Sequence, residues 1–287
     1  CLDSLGRLSV GAAVGIKPGF MNIVDALVNV GVDLVCIDVA NGHNVNTIAA
    51  VVQIRATYPR LVIMAGNICT LEGYIALSNA GADCIRVGIG NGSICTTRLE
   101  TGIGFGQWSA LRECSNYIFN HPIPDKPHAK LICDGGTLGR TGNKAKALAI
   151  GASAIMMGRT LASCEESPGQ VIIRNGKRMK YFRGMASTMA NISKQEAQET
   201  YSSDQPPYKR AAIEEHIPQT AEGVDGVVEL KGSVVDIIGQ ITGGLKSSLS
   251  YLNARSITEL HSNYSNIQWA LSTPIGERET GIRVAVL

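Results

Sequence analysis

Residues 84–98 read Cys84-Ile85-Arg86-Val87-Gly88-Ile89-Gly90-Asn91-Gly92-Ser93-Ile94-Cys95-Thr96-Thr97-Arg98. This stretch indicates the type of fold, because a short, largely apolar run predicts a buried strand and a polar turn follows it directly. Three glycines lie within five residues of that turn, which allows the backbone to fold tightly around a ligand. A strand that ends in such a turn is typical of α/β proteins, which bind ligands at the carboxyl ends of parallel strands.

The same unit recurs along the chain. Apolar runs that predict strands occupy residues 8–14, 34–39, 61–65, 84–87, 129–133 and 154–157. Helical patterns lie between most of them, at residues 20–30, 45–57, 70–80, 107–118 and 143–150. Strands that alternate with helices predict a parallel sheet, and their continuous apolar character predicts burial on both faces.

Polar turns follow most of the predicted strands. They are Asp38-Val39-Ala40-Asn41-Gly42, Gly66-Asn67, the turn of residues 88–95, Asp134-Gly135-Gly136 and Gly158-Arg159. A (β/α)8 barrel and a doubly wound sheet both bind ligands at such positions, so the turns do not separate the two folds. Six units are present where a barrel has eight strands. Either two units precede this sequence or the fold is not a closed barrel.

Composition narrows the class of protein. The 287 residues are 45% hydrophobic and 17% charged, with a net charge of +2, which indicates neither a nucleic-acid nor a membrane partner. No apolar run reaches the ~20 residues that span a bilayer. The 8 cysteines form no Cys-x-x-Cys pair, which favours a reducing, cytoplasmic location over a disulfide framework or a metal site.

The pattern changes after Arg174. A basic, partly aromatic run covers residues 177–183, and a polar segment with several prolines covers residues 193–220. That segment suits either a lid or a disordered insertion. An amphipathic helix is predicted at residues 234–252, with Gly243-Gly244 as a position that could weaken it. The tail from 273 to 287 is predicted to be irregular.

Cys95 is the cysteine most suited to chemistry, because it alone lies in a polar, glycine-rich loop. A thiolate is the reactive form, and the nearby Arg98 would favour it. Ser93 and the neighbouring amides could hold a phosphate. The alternative is a glycine-rich turn that carries an idle cysteine.

Four other polar residues can each be interpreted in two ways. Asp134 could accept hydrogen bonds from ribose hydroxyls, or belong to a common Asp-Gly turn. Arg159 could contact a phosphate, or be a solvated side chain. Asp38 could orient a cofactor hydroxyl or cap its turn, and Glu222 could be delivered to the site or lie on the surface.

Taken together, the motifs resemble the IMP dehydrogenase / GMP reductase family over nearly the whole chain. The matching stretches, in the family's order, are Gly6 to Gly15, Ala65-Gly66-Asn67, Gly81-Ala82-Asp83, Arg86 to Arg98, Asp134-Gly135-Gly136, Leu161-Ala162, Glu165-Glu166-Ser167-Pro168-Gly169, Arg183-Gly184-Met185-Ala186-Ser187, Glu222-Gly223-Val224 and Lys231-Gly232. The chain departs from the family at Asn143, where an acidic residue is usual, and at Arg159, where Ser or Gly is usual.

The resemblance implies an α/β fold, a (β/α)8 TIM barrel, that assembles as a homotetramer or octamer. Strands 3–8 of the barrel would lie in this sequence, with the first two strands, and any CBS-type regulatory domain, upstream of it. Residues 1–287 would then form one catalytic domain, with a mobile flap at 188–221 and a C-terminal tail at 273–287.

The resemblance also implies site residues. The catalytic set is Cys95, which forms a covalent adduct at purine C2, with Thr97 and Glu222 as the acid pair. The purine nucleotide would be bound by Ser93, Asp134, Gly135, Gly136, Gly158, Arg159, Met185 and Ala186. NADPH, or alternatively NAD, would be bound by Asp38, Ala40, Asn67, Thr101 and Gly102. Backbone carbonyls of Gly90, Gly92 and Cys95 would hold a potassium ion.

The branch of the family is predicted from a few residues. Asp38-Val39-Ala40-Asn41-Gly42 and Thr101-Gly102 resemble the reductase. The Arg-Tyr pair of the dehydrogenase flap is absent between Ser187 and Glu222, where Tyr208-Lys209-Arg210 comes nearest. The long spacing from Gly184 to Glu222 and the tail with Glu277 and Glu279 resemble the dehydrogenase. GMP reductase is therefore predicted, with IMP dehydrogenase and a catalytically silent nucleotide-binding barrel as alternatives.

Overall fold

The computed structural model describes residues 6–123, 128–137, 139, 141–188, 190 and 221–269. Six strands form one sheet in chain order, and every neighbouring pair is parallel. They are β1 (Gly11–Val14), β2 (Leu34–Asp38), β3 (Val62–Ile68), β4 (Cys84–Val87), β5 (Lys130–Asp134) and β6 (Ala154–Met156). A doubly wound sheet reverses its strand order, whereas a barrel runs consecutively. The predicted α/β barrel architecture is confirmed for these strands, while the two upstream strands stay a prediction.

Helices follow the strands, and five of the seven were predicted, whereas the short α4 and α7 begin where the sequence predicted turns. They are α1 (Phe20–Asn29), α2 (Val45–Thr57), α3 (Leu71–Ala80), α4 (Thr97–Thr101), α5 (Gln107–Asn120), α6 (Thr141–Ile150) and α7 (Arg159–Ala162). The main core joins buried strand residues such as Ile63 and Ile85 to helix residues such as Val51 and Leu111. Burying apolar surface between a sheet and its helices is what stabilises this architecture.

Strand β3 is longer than predicted. The amide of Val39 donates to the carbonyl of Gly66 at 3.1 Å, and the amide of Asn67 donates to the carbonyl of Val39 at 3.0 Å. These bonds continue the sheet through Gly66 and Asn67, with a register irregularity between Gly66 and Ile68 against β4. The prediction that Gly66-Asn67 forms a turn beyond the strand is therefore wrong.

A second sheet follows the barrel strands, and the sequence reading missed it. Strands β7 (Val171–Arg174), β8 (Lys177–Arg183) and β9 (Asp225–Glu229) pair antiparallel. Asn175 and Gly176 connect the first two with φ angles of 52° and 74°. Two positive φ angles in an Asn-Gly pair are typical of the tight hairpin turn. Met185 and Ala186 follow β8 directly, so this sheet supports their loop.

Two α-helices, α8 (Val234–Tyr251) and α9 (Ile257–Ser262), and a short 3-10 helix (Tyr264–Asn266) complete the described part of the chain. The predicted helix at 234–252 is confirmed, and Gly243-Gly244 does not interrupt it. A Cβ on Gly244 would lie 2.7 Å from the Cγ2 of Thr141, so the glycine allows α8 to approach α6.

No helix in the described ranges is long and apolar enough to cross a membrane. The predicted flap, apart from residues 188, 190 and 221, and the tail from 273 to 287 lie outside the described residues.

Candidate active site

A cleft of about 410 Å³ lies at the carboxyl ends of β2, β3 and β4, against the loop that follows β8. It collects predicted residues from distant parts of the chain: Asp38, Ala40, Asn67, Gly90, Gly92, Cys95, Thr97, Met185, Ala186 and Glu222. The predicted catalytic residues and most of the predicted cofactor residues therefore line one space.

A smaller cleft of about 140 Å³ adjoins the first, and the two share Gly92 and Ile94 in their walls. It collects the remaining predicted nucleotide-binding residues: Ser93, Asp134, Gly135, Gly136, Gly158 and Arg159. The two clefts thus form one elongated site. Its smaller end carries the groups suited to a phosphate and a ribose, and its larger end carries the thiol.

The thiol of Cys95 lies 3.1 Å from the hydroxyl oxygen of Thr97, the first residue of α4. Cys95 is half-buried, whereas several other cysteines are enclosed in the core. Burial raises the pKa of Cys114 to about 12 and that of Cys133 to about 11. Those thiols stay protonated at neutral pH, and Cys95 is the one described cysteine that lines either cleft, which makes it the candidate nucleophile.

Glu222 reaches the cleft because its segment pairs with the cysteine loop. The amide of Thr96 donates to the carbonyl of Glu222 at 2.9 Å, and the amide of Val224 donates to the carbonyl of Ile94 at 3.0 Å. Cys95 and Gly223 form an isolated antiparallel bridge between these bonds. The backbone itself therefore holds Glu222 beside Cys95 and Thr97.

Arg86 is a site residue that the sequence reading did not single out. It is only 8% exposed, and its two terminal nitrogens bind Asp38 at 2.7 Å and Asp134 at 2.8 Å. Burial by itself lowers the pKa of Arg86, but the two carboxylates, Asp134 above all, raise it overall. A charged residue within the apolar run of β4 was the available signal. Arg86 joins the predicted cofactor side to the predicted ribose side.

Asn67 extends this network. Its side-chain amide donates to Asp134 at 2.9 Å and to the carbonyl of Gly88 at 2.7 Å. Both Arg86 and Asn67 contact the Oδ2 atom of Asp134, and no described residue hydrogen-bonds its Oδ1 atom. One carboxylate oxygen is therefore fixed by the protein while the other can accept from a ligand hydroxyl.

Gly88 is needed at the end of β4. Its φ angle is +144°, and a Cβ there would lie 2.0 Å from the carbonyl oxygen of Asp134. A backbone atom cannot move aside as a flexible side chain can, so only glycine fits. This close approach sets the distance between the cysteine loop and the Asp134 turn.

Some predicted residues lie elsewhere. Thr101 and Gly102 do not line the cleft, since Thr101 bonds the carbonyl of Thr97 at 2.7 Å and Gly102 ends α4. Arg98 donates to the carbonyl of Phe105, and no described contact joins it to Cys95. The carbonyl of Gly92 accepts from the amide of Cys95 at 3.2 Å. The potassium site at Gly90, Gly92 and Cys95 stays a prediction.

Comparison with known proteins agrees with this geometry. The IMP dehydrogenase / GMP reductase domain matches residues 1–282. An inosine-5'-monophosphate dehydrogenase of Chlorobaculum tepidum is 42% identical over 98% of this chain and 53% of its own length. A GMP reductase of Leishmania donovani is 38% identical over 98% of this chain and 53% of its own length.

Among solved structures, a cysteine-to-alanine variant of GMP reductase from Trypanosoma brucei, in complex with guanosine 5'-monophosphate, superposes with a TM-score of 0.78. It is 39% identical, and the match covers 91% of this chain and 50% of that protein. The chain spans about half the length of these relatives. Sequence, fold and site agree, and the chain belongs to the IMP dehydrogenase / GMP reductase family of oxidoreductases.

Proposed function

We propose that this chain is the catalytic part of a GMP reductase, which converts GMP to IMP and ammonia with NADPH as the reductant. The observation that carries the proposal is the 3.1 Å contact between the Cys95 thiol and the Thr97 hydroxyl, in a cleft that Glu222 also lines. A nucleophile, a hydroxyl and a carboxylate together are the groups that covalent catalysis with proton transfer needs.

The protein's own groups divide the reaction into two steps. In the first, the Cys95 sulfur forms a bond to purine C2, and the bond from C2 to its amino nitrogen breaks. Thr97 and Glu222 deliver the proton with which ammonia leaves. In the second, C2 receives a hydride, the bond from sulfur to C2 breaks, and Cys95 returns to its starting state with IMP released.

The nucleotide is oriented by the two joined clefts. The smaller end suits the phosphate, which Ser93, Gly136 and Arg159 would contact. The Oδ1 atom of Asp134 suits the ribose hydroxyls. Met185 and Ala186 wall the larger end, where their backbone can meet the purine edge. This arrangement holds C2 on the side of the cleft that carries Cys95.

The residues beside the thiol fit a nicotinamide cofactor, which supplies the hydride when bound. Asp38 keeps 44% of its side chain exposed although Oδ1 is bound to Arg86. A carboxylate with a free oxygen is the acceptor that ribose hydroxyls need. Ala40 and Asn67 line the same cleft and would contact the cofactor beside Asp38.

The reductase branch is favoured by the sequence of the flap region. No Arg-Tyr pair lies between Ser187 and Glu222, and a reductase has no need to activate water there. IMP dehydrogenase, which makes XMP from IMP, NAD and water, is the second candidate. It is favoured by relatives of that name at 42% identity, while the two named reductases are 38% and 39% identical.

Absorbance of the reduced nicotinamide in the intact protein separates the two. GMP with NADPH should give a falling signal, and IMP with NAD should give none. A rising signal in the second mixture would assign the dehydrogenase instead. If neither mixture changes while GMP still binds, the barrel is catalytically silent. The Cys95→Ala variant is the control, since it should bind nucleotide without any turnover.

A further inference from the structure

A second cavity adjoins the small cleft. It encloses about 1120 Å³ and shares Arg159 and Thr160 with the small cleft. Its other walls come from α6, the end of α7, β9 and α8, and include Thr141, Lys144, Ser163, Lys231 and Gln240. Of the site residues predicted from the sequence, only Arg159 lines it. The function proposed above makes no use of this cavity.

Lys144 is the unusual residue in its wall. It is 2% exposed, and its ammonium donates to the carbonyl of Thr137 at 3.2 Å. On α6 it shares the buried face with Ala147 and Leu148, three and four residues on, whereas Lys146 points to solvent. In the part of the chain that the structure describes, no carboxylate lies within ion-pair distance of Lys144. A buried ammonium with a single carbonyl partner is costly unless an anion joins it.

The surrounding charges are also positive. Arg159 and Lys231 line the cavity, and neither forms an ion pair with another described residue. Glu229 lies in the wall as well, but Lys177 binds it at 3.0 Å. Burial, and after it the charge of Lys231, lowers the pKa of Lys144. The charge of Lys231 therefore acts on Lys144, and the one described carboxylate that lines the cavity, Glu229, is already paired with Lys177.

We propose that this cavity binds a phosphate group between Lys144, Lys231 and Arg159. Phosphate offers several strong acceptor oxygens, and hydrogen bonds from charged donors to it are the strong ones. Thr141 and Thr160 line the same cavity, and a threonine hydroxyl can donate a hydrogen bond as well. Arg159 stands where the small cleft and this cavity meet.

Two sources would bring such a group. One is free inorganic phosphate. The other is the distal phosphate of a guanosine diphosphate whose first phosphate occupies the small cleft, which Arg159 and Thr160 connect to the cavity. This second source rests on the proposed function, because it requires the guanine nucleotide to bind in the joined clefts. The first source does not.

Titration calorimetry of the intact protein with inorganic phosphate tests the site directly. Lys144→Met and Lys231→Met should each weaken phosphate binding about tenfold or more. Lys146→Met, on the exposed face of the same helix, should leave it unchanged. Methionine preserves the length and suits burial, so Lys144→Met should fold, and Lys231→Met changes an exposed side chain.

A second titration compares guanosine diphosphate with GMP. If the nucleotide is the source, the diphosphate binds wild type more tightly than GMP, and Lys144→Met removes that advantage without weakening GMP. If free phosphate is the source, the diphosphate has no advantage and only the first titration responds to Lys144. The proposal is overturned if neither effect occurs, or if Ser93→Ala abolishes phosphate binding while Lys144→Met preserves it.

Discussion

The cysteines of this chain differ in their surroundings more than in their local sequence. Cys114 and Cys133 lie in the core, where burial raises the pKa of their thiols to about 12 and about 11. Cys95 lies half-exposed in the cleft, at hydrogen-bond distance from Thr97. Because the thiolate is the form that reacts, access and ionisation together should select among them.

Iodoacetamide at about pH 8 should therefore modify Cys95 before Cys114 or Cys133, whose folded-state pKa values lie above that pH. Since their pKa values are raised, the two core thiols become reactive only as the pH rises toward those values or when the protein unfolds. Peptide mass spectrometry over time measures the order, and GMP should protect Cys95. Equal labelling of Cys133 and Cys95 in the folded protein contradicts the assignment.

Glu222→Gln should slow the release of ammonia more than it slows hydride transfer. The glutamine preserves the shape of the side chain but cannot relay a proton through Thr97. Single-turnover measurements separate ammonia release from the loss of NADPH absorbance. Glu113→Gln, exposed on α5, is the matched control and should change neither step. Equal slowing of both steps by Glu222→Gln removes Glu222 from the acid role.

Arg86→Met should cost the fold about 1–3 kcal/mol, because it leaves Asp38 and Asp134 without the cation that bridges them. Partial exposure of the two carboxylates keeps the cost below that of a fully buried pair. Urea denaturation measures the loss against Arg112→Met, which removes an exposed arginine on α5. A shared unfolding midpoint for the two variants would mean that the bridge contributes little.

The sequence indicated the functional residues that belong to recognisable motifs, but it did not indicate which distant residues contact one another. Cys95, Asp134 and Glu222 could be predicted because their motifs have a recognisable order. For Arg86 the one signal was its charge within an apolar run, and Lys144 had none, because the importance of both residues comes from burial and from residues far along the chain. A lysine two residues from another lysine on a short helix carries no sign of which one the core encloses.

Among the secondary-structure elements, the parallel strands were predicted more completely than the antiparallel sheet. Continuous apolar runs such as that of β4 are distinctive, because both faces of the strand are buried. Strand β8 is rich in lysine and arginine, so its pattern resembles a surface segment. The Asn175-Gly176 pair was the usable signal for its hairpin. β3 was predicted too short, because Gly66-Asn67 has the composition of a turn.

The loop after β8 is tied to β9 through Ser187. This side chain is fully buried, donates to Asp225 at 2.7 Å and accepts from the amide of Ala190 at 3.3 Å. Ser187→Ala leaves both partners unpaired and should cost about 1–3 kcal/mol. It should also raise the KM for the nucleotide severalfold, since Met185 and Ala186 lose their anchor.

Steady-state kinetics and thermal unfolding measure the two effects. Ser262→Ala, on an exposed serine in the last turn of α9, is the matched control and should change neither quantity. If Ser187→Ala is less stable but keeps the KM of wild type, Ser187 stabilises the chain without positioning the loop of Met185 and Ala186.

At the scale of the whole molecule, the consecutive parallel order of the strands explains why the site is one continuous space. The ends of β2 through β6 lie side by side, so the turns that follow them contribute to two clefts that meet at Gly92 and Ile94. The second sheet then closes the larger cleft with Met185, Ala186 and Glu222. Neighbouring strands provide the residues proposed to bind the nucleotide, and long-range pairing brings in Glu222, the proposed catalytic carboxylate.

The proposed function depends on a covalent bond between Cys95 and the purine, which mass spectrometry of rapidly quenched reactions can detect. Wild-type protein mixed with GMP should gain the mass of GMP less ammonia on the peptide that contains Cys95, and NADPH should discharge that adduct as IMP. The Cys95→Ala variant should bind GMP and gain nothing. Turnover of GMP by that variant, or an adduct on a different cysteine, would contradict the account.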